Sequence, residues 1–371
     1  MKWDKRGNTG HIVGDCAMCP CGQPVGESAR LPESCPMTRH YRASTDFEMF
    51  RERVTSFAAG QGRVFRPGQL ESIGVDSSIV RTMVGRQWWI RLRHGVYADA
   101  DVWAASEGEP TDRHLLQCAA AIVSLPLETY AFGRTAAAIH GLPAPRNQLT
   151  DLHLVRGIAT DQRALLGRVT STEGLPGVRI KTHDLSGDTV LTLGGIPTVS
   201  RDLAAISAAA TYSSDWALSV LDAAAWKRPE AIERLAAIAD DWPRLRGIGT
   251  VRSMLPFVRT GAQSPLESIS RLRLTKAGLP EPRLQYPLYD RGGLIGYADM
   301  GWPELGVIGE CDGLMKYQSG EVLIQEKRRE DRIRALGFIV VRWTWDDIIR
   351  HSEEVAAQIW RAGQLATRRA I

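Results

Sequence analysis

The sequence predicts an α/β multi-domain protein with three folded units. A separate pattern of residues predicts each unit. Residues 47–100 place short helices between glycine turns and end in a strand pair, the order of a winged helix-turn-helix. Residues 111–260 mix alanine-rich helices with short strands, as in a mixed α/β domain. Residues 264–371 follow the order helix, strand pair, helix, strand, helix. A chain of 371 residues is long enough for two or three domains.

Composition and charge exclude several classes of protein. Apolar residues make up 44% of the chain, as in ordinary globular proteins, and the formal net charge is only +4. Binding to nucleic acid must therefore rest on local patches rather than on overall charge. No apolar run reaches the length of a membrane span, and the N-terminus lacks the apolar core of a secretory signal. We therefore expect a cytoplasmic protein with no membrane partner.

Residues 1–46 are predicted to form a disordered leader, because they are rich in Gly, Pro and Ser. Four of the six cysteines fall in this leader: Cys16, Cys19, Cys21 and Cys35. Three of them, Cys16, Cys19 and Cys35, could instead bind zinc together with His40. The spacing is irregular and lacks a second Cys-x-x-Cys pair, so the leader and the zinc site stay open as alternatives.

The winged helix-turn-helix is predicted from helix boundaries. A helix over 47–59 precedes a short helix over 67–73, which has Pro67 near its first turn. A third helix over 77–84 has Asp76 as its expected N-cap. Alternating residues then predict a strand pair that turns near His94–Gly95.

A basic stretch marks the predicted DNA-binding surface. Between Ser77 and Ala98 there are four arginines and no Asp or Glu. Arg91 and Arg93 alternate along one face of the predicted wing, a pattern suited to phosphate contacts. An exposed basic face with no partner is the alternative interpretation. The predicted DNA contacts are Ser78 and Arg81 on the recognition helix and Arg91 and Arg93 on the wing.

The same stretch carries a family resemblance. The run VFRPGQLESIGVDSSIVRTMVGRQWWIRLRHGVYA resembles the winged-helix domain of the AbiEi antitoxin family and of related actinobacterial regulators. Their short helix, glycine turn and closing wing are matched here by Gly74 and by Gly95, Val96 and Tyr97. The resemblance implies sequence-directed binding to double-stranded DNA, often with transcriptional control. It also admits a toxin partner and a homodimer.

The middle unit shows no catalytic pattern. It has no glycine-rich phosphate loop and no Ser-His-Asp arrangement. His140 lies at a predicted helix end, where a histidine is expected to cap carbonyls or to pack rather than to act as a site residue.

Three acidic residues are grouped in the C-terminal unit. Asp299 lies in the strand before a tight turn, and Glu310 and Asp312 lie in the strand after it. Because side chains alternate along a strand, Glu310 and Asp312 should face the same way, with Asp299 beside them. Three neighbouring carboxylates repel one another unless a cation lies among them, and hard oxygen ligands suit Mg²⁺ or Mn²⁺. We therefore predict these three residues as metal ligands.

This arrangement resembles the PD-(D/E)xK nuclease superfamily, and within it the very-short-patch-repair-like endonucleases. The group has an Asp on one strand and Glu-x-Asp-Gly-x-x-His on the next. Asp299 and the run from Glu310 to Lys316 match it, with Lys316 in place of the His. The superfamily's Lys two residues after the Glu is also replaced, by Asp312. The resemblance covers residues 264–345 and implies a restriction-endonuclease-like α/β core.

The resemblance implies Mg²⁺-dependent hydrolysis of DNA phosphodiester bonds. The predicted catalytic residues are Asp299, Glu310, Asp312, Lys316 and Glu267. Glu267 matches a helical acid that assists the metal site in the superfamily, and a capping box begun by Ser264 explains it equally well. The alternative function is an AbiEi-like transcriptional regulator or antitoxin with a catalytically inactive nuclease fold. The displaced lysine favours that alternative.

Overall fold

The structure is a computed structural model that describes residues 36–125, 128–145, 148–157, 177–183, 185, 189–312 and 320–369. Within these ranges the strands form three sheets, of three, five and four strands. No helix in the described ranges combines the length and the apolar character needed to cross a membrane.

The first unit has the element order of a winged helix-turn-helix. Its elements are α1 (Pro36–Ala59), β1 (Val64–Phe65), α2 (Pro67–Leu70), α3 (Ser77–Gly85), β2 (Trp89–Arg93) and β3 (Val96–Asp99). The strands are antiparallel and lie in the order β1-β3-β2. Phe65, Met83 and Trp89 are buried together between the helices and the sheet. The predicted short helices and the wing hairpin are therefore present.

The helix α1 begins earlier than the sequence predicted. The leader was placed over residues 1–46, but the helix starts at Pro36. Proline suits the first turn of a helix because its missing N–H would have no partner there, and no glycine or further proline interrupts the residues that follow. The four leader cysteines lie outside the described residues, so the zinc site stays a prediction.

The middle unit contains a mixed five-stranded sheet in the order β6-β5-β4-β8-β7. Its helices are α4 (Ala100–Ala105), α5 (Pro110–Ser124), α6 (Gly133–Ile139), α7 (Arg201–Ala209), α8 (Ser214–Ala225), α9 (Glu230–Asp241) and α10 (Ile248–Met254). Its strands are β4 (Tyr130–Ala131), β5 (Leu152–Gly157), β6 (Val178–His183), β7 (Val190–Leu193) and β8 (Ile196–Val199). The alanines of α7 and α8 are almost all fully buried, which lets these helices pack closely. His140 caps α6, and its Nε2 lies 2.8 Å from the carbonyl oxygen of Val199, which confirms its structural role.

The C-terminal unit is a four-stranded sheet with helices on both sides. Its helices are α11 (Pro265–Lys276), α12 (Gly320–Ala335), α13 (Trp345–Arg350) and α14 (Ser352–Arg369), and its strands are β9 (Arg283–Asp290), β10 (Gly293–Trp302), β11 (Val307–Asp312) and β12 (Ile339–Thr344). The sheet order is β12-β11-β10-β9, with β12 parallel to β11 and the other pairs antiparallel. The Trp343 ring packs directly against Gly309, where a Cβ atom would lie only 2.4 Å from the ring. The predicted elements occur in the predicted order, but one further strand, β9, lies between α11 and the strand pair, and two helices rather than one follow β12.

Buried ion pairs join α8 of the middle unit to α11 of the C-terminal unit. Arg271 is 2% exposed and donates to Asp222, which is 0% exposed, at 2.8 Å. Arg273 donates to Asp215 at 2.7 Å and to the carbonyl oxygens of Ile348 and Ile349. The predicted boundary near residues 260–264 is therefore crossed by a buried polar network.

Candidate functional sites

The recognition helix α3 exposes its first turns to solvent. Asp76 is confirmed as its N-cap, because its carboxylate accepts the backbone N–H groups of Ser78 at 2.7 Å and of Ile79 at 3.0 Å. The Ser78 hydroxyl also donates to Asp76 at 2.6 Å, and these hydrogen bonds hold the pKa of Asp76 below its usual value. Arg81 is exposed one turn further along. The helix therefore presents the Arg81 guanidinium to solvent, whereas the hydroxyl of Ser78 is already engaged in the cap.

The two predicted wing arginines do not share an exposed face. Arg91 pairs with Tyr97 across the hairpin, but Arg93 pairs with Val96, so Leu92 forms a β-bulge between them. A bulge adds one residue to a strand and changes which way the following side chains point. Arg91 is exposed and Arg93 is only partly accessible. The predicted shared face is therefore wrong, because the bulge was not visible in the alternation of the sequence.

The Arg93 side chain is directed toward the middle unit. Its Nε and Nη2 atoms are buried and have no hydrogen-bond partner in the described part of the chain. Burial lowers the pKa of Arg93, and the thiol of Cys118 on α5 lies close to it. Cys118 is itself fully buried, which raises its pKa to about 12. Of the three arginines predicted to contact DNA, Arg81 and Arg91 are therefore exposed and Arg93 is largely enclosed.

The second candidate site is the group of carboxylates in the C-terminal unit. Glu267 on α11 is 4% exposed and accepts hydrogen bonds from the Gln263 backbone N–H at 3.0 Å, the Ser264 hydroxyl at 2.9 Å and the Gln285 amide at 3.1 Å. Burial raises the pKa of Glu267, and the nearby carboxylate of Asp299 raises it further. Ser264 is thus the N-cap of α11, but the predicted capping box is incomplete, because the Glu267 carboxylate accepts the backbone N–H of Gln263 rather than that of Ser264. Glu267 also lies near the carboxylate of Asp299.

Asp299 and Glu310 lie on the adjacent strands β10 and β11. Asp299 accepts the backbone N–H of Cys311 at 2.8 Å, and Glu310 accepts from Arg329 of α12 at 3.0 Å. Burial raises the pKa of both carboxyls. The charge of Asp312 adds to the rise at Asp299, and the charge of Asp299 adds to the rise at Glu310. Burial and neighbouring negative charge therefore disfavour the ionised forms of Asp299 and Glu310.

The structure does not assemble these acids into a metal cage. Across the part of the chain that the structure describes, no three His, Cys, Asp or Glu side chains are arranged to hold one metal ion. Asp312 is exposed, and Lys316 lies outside the described residues. The ion pair between Arg329 of α12 and Glu310 was not predicted from the sequence. The mixed signs of charge along α12 were the available signal.

A known family model matches part of this chain. Residues 52–98 match a family model described as "Transcriptional regulator, AbiEi antitoxin". The matched residues run from within α1 to within β3 and include α3 and the wing. The chain therefore carries an AbiEi-antitoxin-like domain at its N-terminal side, as the sequence resemblance indicated.

Two relatives show the family to which this chain belongs. Uncharacterized protein MT2308 and Uncharacterized protein Rv2248, from two strains of Mycobacterium tuberculosis, are each 30% identical to it over 193 residues. These alignments span 50% of this chain and 71% of each relative. The chain belongs to the same protein family as these two mycobacterial proteins.

Proposed function

We propose that this protein is a DNA-binding transcriptional regulator of the AbiEi antitoxin type, with a toxin as its protein partner. The observation that carries the proposal is the family match over residues 52–98, which covers the same residues that expose Arg81 and Arg91. This supports the alternative function of the sequence analysis better than the nuclease function.

The geometry suits a winged helix on a DNA duplex. The α3 helix would enter the major groove with Arg81 toward base edges or phosphates, and the wing would place Arg91 beside the backbone. Because the net charge of the chain is only +4, the attraction for DNA comes from this local group of arginines rather than from the whole surface.

A selection experiment tests sequence-directed binding. The purified full-length chain is offered a pool of random DNA duplexes, and bound duplexes are amplified and sequenced. We expect one recurring motif, bound about 10³-fold or more tightly than a scrambled duplex at physiological salt, as specific DNA readers achieve. A pool without any enriched motif would contradict the regulator proposal, even if the protein bound every duplex weakly.

A second candidate function is metal-dependent hydrolysis of DNA by the C-terminal unit. The observation that favours it is the raised pKa of three carboxyls, Glu267, Asp299 and Glu310, which lie near one another on α11, β10 and β11. Such a group gains stability from a divalent cation, as predicted for Mg²⁺ or Mn²⁺. The absence of a three-ligand arrangement in the described residues argues against it.

Thermal unfolding with Mn²⁺ separates these interpretations. If the acids bind a cation, Mn²⁺ should raise the melting temperature of the full-length chain, because a ligand that binds only the folded state stabilises it. Asp299→Asn and Glu310→Gln should each abolish the rise. The matched control Asp240→Asn alters an aspartate that is 82% exposed and should preserve it. Equal melting of wild type with and without Mn²⁺ would remove the nuclease candidate.

The metal-free Asp299→Asn variant provides a pH check. Burial raises the folded-state pKa of Asp299, so its ionised form is disfavoured in the folded protein. The resulting penalty is absent below the ordinary pKa of an aspartate and grows as pH rises through the folded value. The variant should therefore gain more stability over wild type at pH 8 than at pH 5.

A further inference from the structure

A cleft of about 360 Å³ lies where the middle and C-terminal units meet. Its walls come from the residues after α6, from α7 and α8, and from the segment that leads into α11. A volume of this size suits a small organic ligand rather than a single ion. The residues that matter for its chemistry are Arg201, Trp226, Gln263, Ser219 and Ser268.

Arg201 brings a positive charge into the wall of this cleft. Within the described residues, both hydrogen bonds of its guanidinium go to backbone carbonyl oxygens, those of His140 at 2.7 Å and of Ala223 at 3.1 Å. Burial and the nearby charge of Arg228 lower the pKa of Arg201. The charge of the neighbouring Asp202 offsets this lowering of the Arg201 pKa only in part, because the Asp202 oxygens accept hydrogen bonds from Arg228 and Arg234. An anion bound in the cleft would therefore offset the part of the Arg201 charge that Asp202 leaves uncompensated.

Trp226 supplies a flat aromatic wall to the same cleft. It follows α8 directly and is 41% exposed, so part of its ring is open to a ligand. The Lys227 ammonium lies 4.6 Å from the centre of the indole ring and is not among the residues that line the cleft. The Lys227 backbone N–H donates to the carbonyl oxygen of Thr260 at 3.1 Å, which fixes this turn. A planar ring can stack on the indole surface that remains open.

We propose that this cleft binds a nucleoside monophosphate unit, with its phosphate toward Arg201 and its base against Trp226. The Arg201 guanidinium matches the charge of a phosphate monoester, and the indole of Trp226 matches a nucleobase. The unit could come from a free nucleotide or from the 5′-phosphorylated end of a nucleic-acid strand, since both present the same groups. An occupant would also touch Gln263, whose backbone N–H holds the carboxylate of Glu267.

Calorimetric titration of the full-length chain tests the proposal. The probes are AMP, adenosine, inorganic phosphate and a 5′-phosphorylated tetranucleotide. We expect AMP to bind at least about tenfold more tightly than adenosine or phosphate, because only AMP fills both parts of the cleft. A tetranucleotide that binds as tightly as AMP identifies a strand end as the source, and a much weaker one identifies a free nucleotide. No heat of binding from either AMP or the tetranucleotide at millimolar concentration overturns the proposal.

Variants place the binding in this cleft. Trp226→Ala should weaken AMP binding by about tenfold or more and leave phosphate binding unchanged. Trp360→Ala is the matched control, because Trp360 is also 41% exposed but lies on α14, outside the cleft. Arg201→Gln should weaken both AMP and phosphate. Since Arg201 also holds two carbonyl oxygens, circular dichroism must show that this variant is folded, and Trp226→Ala decides the question if it is not. Equal AMP affinities for Trp226→Ala and Trp360→Ala would overturn the proposal.

Discussion

Replacing Arg271 by methionine is expected to destabilise the protein by about 3–5 kcal/mol, the usual cost of removing one partner of a buried ion pair. The variant would leave the fully buried carboxylate of Asp222 with the Arg259 backbone N–H, at 2.8 Å, as its main remaining donor. The free energy of unfolding is measured by denaturant titration at constant pH. Arg283→Met is the matched control, because Arg283 pairs with Glu304 where both side chains are more than 60% exposed. Its cost should be only about 0–1 kcal/mol.

Two further measurements identify the unpaired carboxylate as the cause. Combining Asp222→Asn with Arg271→Met should recover part of the lost stability, since no buried charge then remains. Burial raises the pKa of Asp222, and Arg271 opposes that rise in the native protein. Without the arginine the folded-state pKa lies higher still, so the penalty should be larger at pH 8 than at pH 5. An Arg271→Met variant as stable as Arg283→Met would show that the pair does not hold the two units together.

Arg81→Ala combined with Arg91→Ala is expected to weaken binding to a DNA duplex by about tenfold or more. Fluorescence anisotropy across a range of salt concentrations measures both affinity and the number of phosphate contacts. Each lost phosphate contact should reduce the slope of log K against log salt by about one. Arg91→Ala should therefore flatten this slope.

Arg93→Ala serves as the internal comparison for the wing. Because the bulge at Leu92 turns the Arg93 guanidinium toward the middle unit, this variant should leave the salt slope unchanged. The double variant Arg91→Ala with Arg93→Ala should then lose about one unit of slope rather than two. Equal flattening by the two single variants, in folded proteins, would show that both arginines contact phosphates as the sequence alternation suggested.

Local signals in the sequence predicted most of the elements. The N-caps Asp76 and Ser264 and the turn at His94–Gly95 each depend on residues within one turn of the chain. The strand β9 was missed because Pro287 in its middle argues against a strand, although a proline is tolerated at a sheet edge such as this one. The strands β7 and β8 were not predicted, because each has only four residues, too few for an alternating pattern to distinguish a strand from a loop.

The candidate sites were less predictable than the elements, because they depend on contacts between distant residues. The alternation of Arg91 and Arg93 gave no sign of the bulge that separates them. Nothing near Glu310 in the sequence indicated that Arg329, on the following helix, would reach it. The cleft at Trp226 and Arg201 joins residues from four separate segments of the chain, and its existence depends on how α8 packs against α11.

The guanidinium of Arg93 is covered by the middle unit, so the exposure of its charge depends on that unit being present. A fragment cut after residue 100 would lose α5 and with it the cover over the Arg93 Nε and Nη2 atoms. The freed group would then be an additional exposed cation, and, if the protein binds DNA as proposed, the fragment should attract DNA more strongly and less selectively than the full chain. DNA affinities measured on the excised domain should therefore exceed those of the full chain, because the middle unit covers the charge of Arg93.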